Sequence, residues 1–126
     1  MSQVLLKKKA LDIIDSAETR QALEYLDDLF ADNTNLRGTF KEGVFMDYQI
    51  RNMRTGNQDL SFIVNKGHLL FYFRSWAVQS GRYRLDLLKT IFNGPENKPL
   101  KKDKEWIVKI IDLDDAEKLA GFLKLT

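Results

Sequence analysis

The hydrophobic period of this chain changes near Arg37, from spacings of three and four to strict alternation, and that change calls for helices at the N-terminal end and a sheet in the middle. Ahead of it, Leu6, Ala10, Ile13 and Ile14 predict one buried helical face over residues 4–14. Asp15 and Ser16 can cap a second helix, with Glu18 in capping-box position and an apolar stripe of Leu23, Leu26, Leu29 and Phe30. That helix is expected to end near Asn33.

Beyond the change, Met46, Tyr48 and Ile50 alternate with Asp47, Gln49 and Arg51, the pattern of a strand with one exposed face. Glu42-Gly43 and Thr55-Gly56-Asn57 supply turn chemistry at its ends and imply strands near 37–41 and 60–65. Asn65-Lys66-Gly67 makes the next turn. The segment after it, HLLFYFR, is apolar on both faces as far as Arg74 and reads as a buried, central strand.

Helical spacing returns in YRLDLLKTIF, where Leu85, Leu88, Ile91 and Phe92 point inward and Gly94-Pro95 stops the helix. NGPENKPLKKDK reads as a charged loop, EWIVKII as a strand, and Asp112 as the cap of a closing helix with Ala116, Leu119, Ala120 and Leu123 inward. The expected fold class is α+β in the order ααββββαβα, with N-terminal helices, a mainly antiparallel sheet of about five strands, and a helix before and after the last strand. At 126 residues the whole chain, 1–126, is read as a single domain.

With no cysteine, disulfides, thiolate nucleophiles and sulfur-ligated metals are excluded, and a reducing, cytoplasmic setting is expected. The N-terminus lacks a secretory core and is read as mature protein. No stretch approaches the ~20 apolar residues that span a bilayer, so no membrane partner is expected.

Catalysis lacks its usual materials. His68, the single histidine, opens an apolar strand directly after a turn, where hydrogen bonding to a neighbour explains it better than general-base work. GxSxG, Walker and GxGxxG patterns are missing. Asp112, Asp114, Asp115 and Glu117 could offer oxygen ligands to a divalent cation, but they fall where a helix begins and are read as capping groups. A metal-dependent nuclease would need Glu-x-Lys on a strand, whereas Glu105 and Lys109 stand four apart. The reading is therefore of a protein that is not an enzyme, with no catalytic residue, no metal and no cofactor; a carboxylate-metal enzyme is the remote third class.

Binding suits the chain better. Residues 41–110 hold thirteen basic and seven acidic side chains, while both ends are acidic. The segment RSWAVQSGRYR mixes arginines with aromatics, residue types enriched at interaction hot spots. The candidate binding residues are Arg51, Arg54, Arg74, Trp76, Arg82, Tyr83 and Arg84. Through them the leading expectation is phosphate-backbone binding to nucleic acid, and the alternative is a protein partner, of inhibitor, immunity, antitoxin or phage-accessory type, or a homodimer.

Overall fold

A computed structural model describes residues 2–125. Two helices open it, α1 (Gln3–Ile13) and α2 (Ala17–Ala31), and a four-strand antiparallel run follows: β1 (Leu36–Glu42), β2 (Met46–Asn52), β3 (Gln58–Val64) and β4 (Leu69–Phe73). Short helices α3 (Ser75–Gln79) and α4 (Leu85–Ile91) lead to a hairpin of β5 (Leu100–Lys102) and β6 (Glu105–Ile110), and α5 (Leu113–Phe122) closes the order. The sheet is six-stranded, β1-β2-β3-β4-β6-β5, and every pairing is antiparallel.

The α+β class and the terminal helices are as the sequence implies, with one strand more than expected. The additional strand is β5, three exposed residues inside what reads as a charged loop. Asp103 turns the chain back with φ 57°, a left-handed conformation that aspartate tolerates better than most residues. α3 is the other addition. It is five residues long and buries Ala77, too short for a periodic stripe to form.

The caps of α2 and α5 follow their sequence signals, and α1 has one that the sequence reading does not single out. Ser2, Ser16 and Asp112 each accept a backbone N–H three residues on, opening α1, α2 and α5. Ile13, expected to face inward, is 36% exposed at the last residue of α1, while Ile14, expected inward with it, is fully buried at the C-cap.

The core lies on one side of the sheet. Tyr48, Ile50, Leu60, Phe62, Leu69, Phe71, Phe73, Val108 and Ile110 point into it and meet α2 and α5 through Leu23, Leu26, Phe30, Ala116 and Leu119. Tyr48 sits at the centre of an aromatic group. It stacks on Phe62 at 4.6 Å, takes Phe40 edge-on at 4.7 Å, and donates its hydroxyl proton to Asp27 Oδ1 over 2.7 Å. Lys7 completes that contact, 3.1 Å from the other Asp27 oxygen. The hydroxyl edge of the Tyr48 ring lies against Gly38 of β1, where a Cβ would overlap Cε1, Cζ and the hydroxyl oxygen.

α1 is tied to β1 by the Gln3 amide and by an exposed ion pair, Lys9 to Glu42 at 3.3 Å. Gln3 Nε2 donates to the Phe40 carbonyl over 2.9 Å, and Gln3 Oε1 accepts the Phe40 N–H over 2.7 Å. No buried side-chain nitrogen or oxygen among the described residues lacks a hydrogen-bond partner. No helix among them is long and apolar enough to cross a membrane.

Candidate functional site

All five helices leave one broad face of the sheet uncovered, because the strand residues that alternate with the core point away from it. Register assembles that face in rows. Thr39, Gln49, Ser61, Tyr72, Ile107 and Leu100 run across all six strands in one of them. Lys41, Asp47, Ile63, Leu70 and Lys109 form the next. The centre is thus apolar, with Ile63 opposite Leu70 and Tyr72 opposite Ile107, all half-buried by their neighbours alone. Leu100 extends the stripe and is 65% exposed.

Charge frames the stripe. Arg74, just past β4, donates through Nε to Glu105 Oε2 and reaches Ser61 Oγ at 3.4 Å, while its guanidinium lies 5.9 Å from the centre of the Tyr72 ring. Arg37 and Arg51 stand directly opposite each other on β1 and β2, and neither has an acidic partner within salt-bridge distance among the described residues. Like charges placed opposite each other destabilise a sheet pair. A bulge between Ile50 and Arg51 shifts the register with β3 at this end.

The β1–β2 turn rises beside the stripe with Val44 and Phe45 almost bare, 95% and 62% exposed. Between this turn and Arg74 is a groove of about 450 Å³ floored by Ile63, Ser61 and Tyr72. Its size is that of a site for a side chain or small ligand.

Five of the seven residues singled out in the sequence divide between two sides, and two belong to neither. Arg51 and Arg74 are on the open face. Arg54 is exposed in the β2–β3 turn, its N–H bonded to the Asn52 side chain. Arg82, Tyr83 and Arg84 belong to the helix-covered side: Tyr83 meets Phe73 and Phe122 in the core, Arg82 lies 3.9 Å from buried Asp59, and Arg84 pairs with Asp86 at 3.1 Å. Gly81, at φ 70°, makes the bend that sends Arg82 away from Arg74. Trp76, on α3, is 58% exposed and does not line the groove on the open face. The basic middle of the sequence is therefore not one patch.

Elsewhere the acidic cluster is knit into the fold. Asp112, Asp114 and Asp115 offer oxygens within 4.8 Å of one another. Asp112 caps α5, and Asp115 accepts from Asn97 and from the Ile111 N–H. His68 lies 3.3 Å from the Asn65 amide nitrogen at the β3–β4 turn, and burial, with Lys109 adding to it, holds its pKa below the ordinary histidine value. The unfolded chain then binds a proton at a pH where the folded chain does not. Unfolding free energy should fall as pH drops from about 7 through the folded-state pKa, and His68→Gln should flatten that slope in urea denaturation series across the same range.

No family model matches this chain, and neither a curated protein nor a solved structure matches it.

Proposed function

We propose that this chain is a non-catalytic binding module whose open sheet face docks an acidic surface of a partner protein. The observation that carries the reading is the mismatch at β4. Leu69–Phe73 is apolar on both faces, the composition of a strand covered twice, and Leu70 and Tyr72 have no cover on theirs.

The partner's chemistry follows from what surrounds the stripe. Register and contacts give the face six basic side chains, Arg37, Lys41, Arg51, Arg74, Lys102 and Lys109, against two acidic ones, Asp47 and Glu105, an excess of four. A second copy would bring like charge against like charge, so an acidic partner is favoured over a homodimer. Strand-bound bases stack on aromatic rings, and here the stripe is mostly aliphatic, with Arg74 over its single tyrosine. That favours protein over nucleic acid. An apolar centre with a charged rim is the usual anatomy of such interfaces.

Chemical crosslinking in the source cell, followed by mass spectrometry, is the direct test. Lys41, Lys102 and Lys109 should crosslink to an acidic protein, and Ile107→Glu, which leaves every core-facing residue in place, should cut its capture about tenfold or more. Undiminished capture would sink the reading. So would tight binding to DNA or RNA with a steep salt dependence, which would restore the phosphate-contact role of Arg51, Arg54 and Arg74.

A further inference from the structure

On the helix-covered side, between the α3–α4 loop and α5, lies a second concavity of about 610 Å³, within the size range of small-molecule sites. One wall is apolar: Tyr83 and Phe122 stack with ring centroids 6.2 Å apart, and Leu87 and Ile91 of α4 continue them. Both rings meet Phe73 edge-on, so this wall is anchored in the core rather than carried on a loop. The rim is cationic. Arg82, Arg84, Lys118 and Lys124 line the groove and no carboxylate among the described residues does; Asp86 and Asp114, which pair with Arg84 and Lys118, are not part of its lining.

Gly121 supplies an independent observation. It occupies the last turn of α5 and lines the groove, its φ is not in the left-handed region, and a Cβ there would meet nothing within 4 Å. Glycine inside a helix costs roughly 1 kcal/mol relative to alanine, and neither backbone conformation nor crowding at this position calls for it. A side chain there would stand in open space beside the groove that Gly121 lines. Two residues past the helix end Lys124 shows the converse, a lysine in the left-handed conformation (φ 59°) where glycine is the low-cost residue. The helix terminus thus has its glycine on the groove wall and its cation on the groove rim.

We infer that this groove binds a free amphipathic organic anion, with an apolar chain or ring of fatty-acid size lying on Tyr83 and Phe122 and one carboxylate or sulfonate head among the rim cations. The site is independent of the open sheet face. Its class of ligand is set by the pairing of an apolar wall with a rim of a single sign.

Calorimetric titration of the intact protein with laurate, kept below its micelle concentration, should show one site with a dissociation constant of about 1–100 μM. Dodecyltrimethylammonium, with the same tail and a cationic head, should bind at least about tenfold more weakly, as should laurate to Arg82→Ala/Lys118→Ala protein. Gly121→Leu fills the wall and should abolish laurate binding without lowering the melting temperature; should leucine disturb the fold, Gly121→Ala serves, raising the melting temperature and weakening laurate several-fold. No heat with laurate, equal binding of the cationic amphiphile, or full affinity in the folded Gly121 variants overturns the inference.

Discussion

Replacing Gly38 with alanine is expected to cost about 3 kcal/mol of folding stability, the upper end of what one added methyl group costs in a filled interior. The new Cβ would lie 2.2 Å from Tyr48 Cε1 and 2.5 Å from Cζ, so one of the two must move. Tyr48 has nowhere to go. Phe62 stacks on it, Phe40 and Phe30 flank it, and its hydroxyl is held by Asp27. Nor can β1 lift off freely, since it is paired with β2 along its whole length. Urea denaturation of the single variant and of Gly38→Ala in a Tyr48→Leu background separates clash from propensity. Alanine should be close to neutral once the ring is gone, so a coupling of about 2 kcal/mol or more is expected, and equal costs in the two backgrounds would show that the ring is not the obstacle.

Asp115→Ala should cost about 2–3 kcal/mol, more than a surface aspartate contributes. Asp115 is 6% exposed, and burial pushes its carboxyl above the usual range while the Ile111 N–H bond acts the other way. One oxygen accepts from Asn97 Nδ2 and the other from the Ile111 N–H, each at 3.0 Å, so a helix, a loop and the end of β6 converge on one side chain. Asn97 in turn accepts the Gly94 N–H. Removing the carboxylate leaves two half-buried donors without an acceptor, and the 94–99 loop should loosen. Asp115→Asn retains one acceptor and should fall between wild type and alanine. A loss below about 0.5 kcal/mol for the alanine variant would mean that water replaces both bonds at no cost.

How much of this molecule the sequence displays depends on the distance over which each feature is encoded. α2 and α5 are legible because a stripe such as Leu23, Leu26 and Phe30, or Ala116, Leu119 and Leu123, repeats within one element, and a serine or aspartate marks its start. β2 is legible through its alternation. α3 and β5 are not, since five and three residues hold less than two periods of anything. The candidate face is harder still. Its central pair, Tyr72 and Ile107, are neighbours only because β4 pairs with β6 across two intervening helices and a hairpin strand, and Arg37 meets Arg51 only through the β1–β2 register. One signal was nevertheless present: HLLFYF carries more apolar residues than a sheet covered on a single side needs. Conversely, Arg74 and Arg82 are eight positions apart in the sequence, and the bend at Gly81 with the Asp59 contact of Arg82 places them on different sides. Proximity along the chain made a patch that the fold takes apart.

The amide of Gln3 also bears on how this protein meets its own copies. Phe40 presents its N–H and C=O away from β2, and Gln3 satisfies both, standing in for the strand that would come next. The other end of the sheet needs no such stopper, because β5 offers only three residues. With α1 undocked, seven residues of β1 would be free to pair with a neighbour's β1, and because the same edge is used on both sides that contact would close as a pair. A single side chain near the N-terminus therefore occupies the middle of the longer free edge of a six-stranded sheet.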